Sequence, residues 1–202
     1  DVLATLDSDE ILTKMDLPKG SMTLIEPTIF GDERGFFFES YNKRDFQEMS
    51  ILDEFVQDNH SKSRKGVLRG LHFQNEHSQG KLIRVIKGGV LDIAVDLRRD
   101  SATFGKSIKV ELSEENKRML YIPKNFAHGF LTITEEAECL YKCNDYYYPE
   151  YESGIIWNDS ELNIDWDLKK YNLKKEDLIF SEKDKVHQSF KEYVKAGGER
   201  WY

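Results

Sequence analysis

Residues 81–97 read KLIRVIKGGVLDIAVDL, and this stretch decides the fold class. Between residues 91 and 97 apolar side chains alternate with polar or small ones, a period of two that is typical of a β-strand with one buried face. Residues 108–112 alternate in the same way. Because Gly88 and Gly89 separate two runs with strand character, the stretch predicts an antiparallel hairpin that turns at the glycine pair.

Further short runs with strand character lie on both sides of this stretch, at 35–41, 55–59, 66–74, 118–122, 129–134 and 138–145. Many short strands at close spacing are typical of a β-sandwich or barrel. Helical patterns are few. A short helix is predicted at 43–49, and a second is predicted to follow Ser181, with Asp184 as its capping partner, and to end at Gly197. The sequence therefore predicts an all-β fold with a few short helices, mostly C-terminal.

The length of 202 residues fits one domain with an attached extension. We expect residues 21–202 to form a single domain. Residues 1–20 are predicted to be an N-terminal extension, and their acidic, weakly apolar first half is either disordered or an arm against a partner subunit.

The net charge of −8 and the absence of a basic block argue against nucleic acid or an anionic membrane as the main partner. No apolar run approaches the roughly 18 residues of a membrane span. Only two cysteines occur, Cys139 and Cys143, too few for a disulfide framework in a domain of this size. We therefore expect a cytoplasmic protein with reduced core cysteines.

The segment 67–74, VLRGLHFQ, places a single imidazole inside a predicted strand. A lone histidine in a strand is most often a core residue whose ring nitrogens are hydrogen-bonded. Gly70 weakens that interpretation, because a glycine inside a strand marks a bulge or a close backbone approach. A bulge at Gly70 could turn Arg69 and His72, otherwise on opposite faces, toward one cavity.

His72, Gln74 and His128 together suggest the metal site of a double-stranded β-helix. Such sites usually need about three nitrogen or carboxylate ligands. Here Gln74 stands where the second histidine of a pair separated by one residue would be expected. A metal-free cavity of the same architecture fits the sequence better, so we expect no catalytic metal.

Tyr141 lies in the predicted strand at 138–145, on one face with Cys139 and Cys143. A tyrosine in a sheet is most often a core or interface aromatic residue. However, a phenol with a pKa of about 10 stays protonated at neutral pH, and opposite a base it can deliver a proton. Tyr141 is therefore a candidate acid if it faces a cavity.

Several motifs in order along the chain carry a resemblance to a known family. They are GDERGFFFES at 31–40, QDNHS at 57–61, LRGLHFQ at 68–74, QGKL at 79–82, DLRR at 96–99, IP at 122–123, FAHGF at 126–130 and LYK at 140–142. Together they cover about residues 24–166 and closely resemble the dTDP-4-dehydrorhamnose 3,5-epimerase family, and FSEKD at 180–184 is similar to a later segment of it.

This resemblance implies a cupin-fold enzyme, a double-stranded β-helix or jelly roll, that acts as a homodimer without a cofactor. Its substrate would be dTDP-4-dehydro-6-deoxy-D-glucose, inverted at C3 and C5 to give dTDP-4-dehydro-L-rhamnose. His72 would be the base, Tyr141 the acid, Asp184 the partner of His72, and Lys81 the cation at the C4 oxygen. Substrate would be bound by Lys81 and by Arg34, Glu39, Gln57, Asn59, Arg69, His128, Glu152 and Lys183. The first strand of the family tends to cross to the partner, so Arg34 and Glu39 would serve the neighbouring site.

Three alternatives stay open at the level of sequence. The first is an epimerase that inverts one centre, or a ketoisomerase acting on a related dTDP-4-keto-6-deoxy sugar, because cavity shape decides which proton is reached. The second is a sugar-nucleotide-binding cupin without activity, which would need no acid and base. The third is a metal-dependent cupin enzyme. The tyrosines at 146, 147, 148 and 151 are candidates for stacking on the thymine ring.

Overall fold

The computed structural model describes residues 3–7, 10–13 and 21–197, and most of their regular structure is β-strand. The strands are β1 (Leu3–Asp7), β2 (Glu10–Thr13), β3 (Thr23–Ile25), β4 (Phe30–Asp32), β5 (Gly35–Phe37), β6 (Gln57–Arg64), β7 (Leu68–Gln74), β8 (Lys81–Lys87), β9 (Gly89–Asp96), β10 (Ser107–Ser113), β11 (Met119–Ile122), β12 (Phe126–Thr132), β13 (Glu136–Cys143) and β14 (Glu152–Gly154). The helices are α1 (Lys43–Glu48) and α2 (Phe190–Lys195), with 3₁₀ turns at Pro149–Tyr151 and Lys175–Asp177.

The strands form two main antiparallel sheets and one separate ribbon. The first sheet has the order β2-β1-β3-β11-β8-β13-β6, the second has the order β10-β9-β12-β7-β14, and β4 pairs with β5 alone. Apolar side chains from both main sheets, among them Ile83 and Val85 of β8 and Val90 and Ala94 of β9, pack into one core cluster. The all-β jelly roll with few short helices is thereby confirmed.

The predicted hairpin at Lys87–Gly88–Gly89 is wrong. Strand β8 pairs with β11 and β13, whereas β9 pairs with β10 and β12, so the glycine pair carries the chain from one sheet to the other. Gly88 has a φ of +66°, and a Cβ there would lie 2.0 Å from the Glu136 carbonyl oxygen. Both the backbone conformation and the close approach of β13 require glycine at this corner.

The half-buried pattern predicted for 91–97 is also wrong for β9, although it holds for β10. Every residue of β9 is buried, while β10 alternates between exposed and buried positions at its centre. The reason lies in the C-terminal part of the chain, because Trp166, Phe190 and Tyr193 pack against the outer face of the second sheet. Alternation in the sequence shows which residues are apolar, but it cannot show that a distant segment covers the other face.

Helix α1 confirms the short helix predicted at 43–49, whereas the C-terminal helix begins later than predicted. Ser189 is its N-cap, and Ser189 and Glu192 form the capping box. Residues before Ser189 form turns, and Val186 is 79% exposed rather than buried on a helix face. The helix ends at Lys195 with Ala196 as its C-cap, and Gly197 follows directly with a φ of +86°, so the predicted glycine stop is confirmed.

Cys139 and Cys143 are both buried and free. None of the helices in the described residues is long and apolar enough to cross a membrane.

Candidate active site

A cavity of about 310 Å³ lies between strands of the two main sheets. Its lining consists of Gln57, Asn59, His72, Phe73, Gln74, Ser78, Gln79, Lys81, Phe126, Tyr141, Tyr147 and Glu152. The volume is within the usual range for small-molecule sites, which are roughly 300–1,000 Å³. Polar and titratable groups from both sheets therefore face one small-molecule-sized space.

His72 and Tyr141 line this cavity from opposite sheets, because His72 lies on β7 and Tyr141 on β13. A molecule bound between them has one face toward an imidazole and the other toward a phenol. This is the arrangement that a proton removal on one side and a proton delivery on the other require.

A bulge at Gly70 shapes the strand that carries His72. His128 of β12 is opposite His72, and Phe130 is opposite Arg69, so Gly70 and Leu71 together face a single residue of β12. Gly70 has a φ of +119°, and a Cβ there would lie 2.6 Å from the Cα atom of the facing glycine. The bulge predicted from Gly70 is confirmed.

Arg69 does not line the cavity. Its guanidinium donates to the Ser63 hydroxyl at 3.1 Å and to the Lys62 carbonyl oxygen at 3.4 Å, both on β6. It nevertheless lies close enough to Tyr141 to act on the pKa of that phenol. Arg69 is therefore a neighbour of the acid rather than part of the cavity wall.

Asp184 holds the imidazole of His72. The His72 Nε2 atom lies 2.5 Å from Asp184 Oδ1, and the Asp184 side chain is only 3% exposed. The Ser181 hydroxyl donates to the other carboxylate oxygen at 2.8 Å. Burial by itself raises the pKa of Asp184, but hydrogen bonds from two histidines and Ser181 outweigh it and hold that pKa far below its usual range.

His187 is a second histidine on the same carboxylate, and sequence reasoning missed it. Its Nε2 atom lies 3.2 Å from Asp184 Oδ1, and its ring meets the His72 ring edge to face at 5.4 Å between centroids. The spacing of three residues from Asp184 could have drawn attention to it. His187 was not considered because this segment was predicted to be a helix, with Asp184 as a capping residue.

Lys81 brings a cation to the cavity at the start of β8. Among the residues that the structure describes, its ammonium makes no hydrogen bond and no ion pair. Burial lowers the pKa of this ammonium, and Cys143 and Asp92 act against that shift. An unpaired cation in a partly desolvated wall is well placed to meet negative charge on a ligand.

The Tyr141 hydroxyl also has no hydrogen-bond partner among the described residues. Burial raises the pKa of this phenol, as do the two neighbouring cysteines, while Arg69 acts in the opposite direction. A raised pKa keeps the phenol protonated at neutral pH, which is the form that can donate a proton.

Amide and carboxylate groups complete the lining. Gln57 donates to Asn59 at 3.1 Å and accepts from the backbone N–H of Tyr147 at 3.0 Å. The Tyr147 hydroxyl donates to Glu152 at 3.1 Å, and Lys183 pairs with the same carboxylate at 2.6 Å. Of the four tyrosines considered for base stacking, Tyr147 is the one that lines the cavity.

His128 lies inside the fold and outside the cavity lining. Its Nε2 atom lies 2.9 Å from Asp92, whose side chain is fully buried. The Gln74 amide is likewise occupied, donating to the carbonyl oxygens of His77 and Tyr146. The three residues considered for a metal site, His72, Gln74 and His128, thus each have other partners in this fold.

Arg34 and Glu39 lie away from this cavity. Arg34 pairs with Asp32 on the tip of the β4–β5 ribbon, and its side chain is 85% exposed. Glu39 accepts from Asn42 at the base of the ribbon. Neither residue contacts the cavity of its own chain.

Comparisons with known proteins agree with one another. A family model described as dTDP-4-dehydrorhamnose 3,5-epimerase matches residues 17–192. A protein of that name from Pseudomonas aeruginosa is 52% identical over 179 residues, which are 88% of this chain and 94% of the relative. Its namesake from Salmonella typhimurium is 55% identical over 158 residues, covering 77% and 85% respectively.

A solved structure extends the likeness to three dimensions. The dTDP-6-deoxy-D-glucose-3,5-epimerase of Legionella pneumophila, in complex with dTDP-4-keto-L-rhamnose, superposes with a TM-score of 0.82 at 47% sequence identity. The match covers 90% of this chain and 93% of that one.

Proposed function

The chain belongs to the dTDP-4-dehydrorhamnose 3,5-epimerase family, and from this premise we propose how its cavity performs the reaction. It is an isomerase that epimerises dTDP-4-dehydro-6-deoxy-D-glucose at C3 and C5 on the way to dTDP-L-rhamnose. The observation that carries the proposed mechanism is the placement of His72 and Tyr141 on opposite walls of one cavity, with the unpaired Lys81 in the same lining.

The base in this mechanism is His72. Its Nε2 atom is engaged with Asp184, which leaves Nδ1 as the nitrogen that accepts the proton from C3 or C5. Asp184 fixes this tautomer and stabilises the imidazolium that forms after the transfer. The carboxylate is suited to this task because it stays ionised throughout the physiological pH range.

The oxygen at C4 is the common point of both epimerisations. C3 and C5 flank the C4 ketone, so removal of either proton gives an enolate whose negative charge lies on that oxygen. We assign Lys81 to this charge, since its ammonium faces the cavity without a carboxylate partner. Tyr141 then returns a proton from the opposite face, which inverts the carbon.

The nucleotide part of the substrate needs a separate set of contacts. We propose that Gln57, Asn59, Glu152 and Lys183 bind it and that the Tyr147 ring stacks on the thymine. Arg69 and His128 do not line the cavity. Arg69 lowers the pKa of the Tyr141 phenol, and His128 supports the strand pairing opposite His72. No residue in this scheme requires a cofactor.

Proton NMR in D₂O tests the function directly. We expect the full chain, incubated with dTDP-4-dehydro-6-deoxy-D-glucose, to introduce deuterium at both C3 and C5 and to form a product that a rhamnose-forming reductase consumes. Deuterium at one centre only would show that the chain is a single-centre epimerase. No deuterium at either centre would indicate a sugar-nucleotide-binding cupin without activity.

Replacing Lys81 by methionine is expected to lower kcat about 10²-fold, the lower end of what loss of one oxyanion donor costs. KM should change much less, because the charge on the C4 oxygen develops only in the transition state. Steady-state kinetics measure both values. Lys109→Met is the matched control, since Lys109 lies on β10 and its ammonium pairs with Asp167 at the surface. Equal kcat values for the Lys81 variant and the parent would remove Lys81 from the mechanism.

We further propose a homodimer in which the β4–β5 ribbon crosses to the partner. Three phenylalanines of this ribbon are exposed by 62% to 70%, namely Phe30, Phe36 and Phe37. A cluster of exposed aromatic side chains is typical of an interaction surface. Arg34 and Glu39 lie on and beside this ribbon, so a crossing would carry them toward the neighbouring cavity. In this arrangement residues 21–202 act as one domain, and residues 1–20 are an extension of it.

Subunit complementation tests the crossing. We expect Arg34→Ala and Tyr141→Phe proteins to be poorly active alone, and a mixture that exchanges subunits to regain up to about a quarter of the parental activity, because half of the dimers are mixed and each holds one intact site. Reassembly from denaturant followed by the epimerase assay measures this. A mixture no more active than its components would mean that Arg34 serves its own chain or no site.

A further inference from the structure

We propose that His72, Asp184 and His187 also form a binding site for Zn²⁺ or a similar late first-row divalent cation. Occupation of this site inhibits epimerisation. The inhibition rests on the proposed role of His72 as the base, while the metal site itself does not. These three residues are the His-Asp-His cluster.

The ligand atoms of the cluster already converge. One ligand atom from each of the three residues lies within 4.8 Å of the other two. The Nε2 atoms of His72 and His187 both contact Asp184 Oδ1. Tetrahedral zinc with bonds of about 2.0–2.1 Å holds its ligand atoms roughly 3.3 Å apart. The contact of 3.2 Å between His187 and Asp184 has this spacing. The His72 contact of 2.5 Å must widen, which a small rotation of a partly exposed ring allows.

His187 is held in place rather than free on the surface. Its side chain is 11% exposed, and its ring lies over Gly154, where a Cβ would be 2.6 Å from the imidazole. Gly154 is itself the residue of β14 opposite His72. Because Gly154 has no side chain, the His187 imidazole has space to reach Asp184.

The donor set selects the class of ion. Two imidazole nitrogens and one carboxylate oxygen are a common ligand set for zinc and other late first-row ions, whereas Mg²⁺ and Ca²⁺ prefer oxygen ligands. Entry is from the cavity, because the His72 side chain is 34% exposed while that of Asp184 is only 3% exposed. The fourth coordination position would face the cavity and take a water molecule.

Metal binding and catalysis exclude each other for a chemical reason. A cation on Nε2 of His72 requires the ring proton of the neutral imidazole to be on Nδ1. That nitrogen is the one proposed to accept the substrate proton, and once protonated it cannot do so. The cation also takes the Asp184 oxygen that stabilises the imidazolium. Zinc should therefore inhibit by removing the base rather than by blocking the nucleotide part of the cavity.

The test measures Zn²⁺ binding and Zn²⁺ inhibition on the full chain after chelator treatment. Calorimetry should show one Zn²⁺ per chain, and Co²⁺ should give the visible absorption of a tetrahedral site. His187→Gln keeps a hydrogen-bond donor to Asp184 but removes an imidazole ligand. We expect it to weaken Zn²⁺ binding at least about 10-fold, since loss of even an outer partner of a ligand costs 10–100-fold. His60→Gln is the matched control, because His60 pairs with Glu138 at the surface.

Each outcome decides a separate point. Weaker Zn²⁺ binding and weaker inhibition in His187→Gln, with both unchanged in His60→Gln and with reversal by EDTA, support the proposal. Equal Zn²⁺ affinity of His187→Gln and the parent overturns the site. Tight binding that leaves epimerisation unaffected overturns the inhibition. Binding at the cluster in a chain that epimerises nothing would instead refute the proposed function and leave the metal site standing.

Discussion

Replacing His72 by asparagine is expected to lower kcat/KM of epimerisation about 10⁴-fold, the upper end of what a positioned proton-transfer group contributes. The effect is large because His72 removes both protons in the proposed scheme. Asparagine keeps an N–H donor toward Asp184, so the buried carboxylate is not left unpaired. The reductase-coupled assay measures the loss of product.

Deuterium exchange measures proton removal in the His72 variant directly. The asparagine variant should introduce no deuterium at C3 or C5 even during long incubation in D₂O. His60→Asn, at a surface histidine on β6, should behave as the parent does. Parental exchange rates in the His72 variant would show that another group is the base, and thermal unfolding of both variants checks that the fold is retained.

Replacing Tyr141 by phenylalanine is expected to lower the rate of inversion about 10³-fold, within the range for loss of a general acid. Its effect should differ in kind from that of the His72 variant. With the base intact, a proton can still leave the carbon and be replaced by deuterium from the same face. Recovered substrate should therefore carry deuterium without inversion, which NMR separates from product formation.

Tyr171→Phe is the matched control for this experiment. The Tyr171 hydroxyl contacts Glu111 on the far side of the second sheet, so its loss should leave both exchange and inversion unchanged. If the Tyr141→Phe variant inverted C3 and C5 at the parental rate, the acid would be another group. Tyr141 would then contribute only to substrate binding.

Local pattern was enough to predict most of the strands but not their pairing. The runs at 82–86, 90–97 and 108–112 each lie within or overlap an observed strand. The hairpin at Gly88 was predicted because a glycine pair between two strands usually reverses the chain. Here the same glycines turn a corner between sheets, and that choice depends on the close approach of Glu136. Such a contact is absent from the sequence around Gly88.

The C-terminal segment shows the same limit at the site. Phe190 and Val194 predicted a helix, and one exists, but Asp184 is bound by two histidines and Ser181 and lies in turns before it. The partner of His72 was found through a family motif, whereas His187 was not found at all. Its role depends on the space over Gly154, which belongs to a distant strand.

Periodicity, residue type and ordered motifs were enough to predict the all-β class, the bulge at Gly70, the free cysteines and the family. They could not predict that His72 and Tyr141 share one cavity, that Lys81 has no partner among the described residues, or that His187 contacts Asp184. The physical reason is that these relations are distances between side chains on different strands. The pairing of two curved sheets fixes those distances, and no local stretch of chain encodes them.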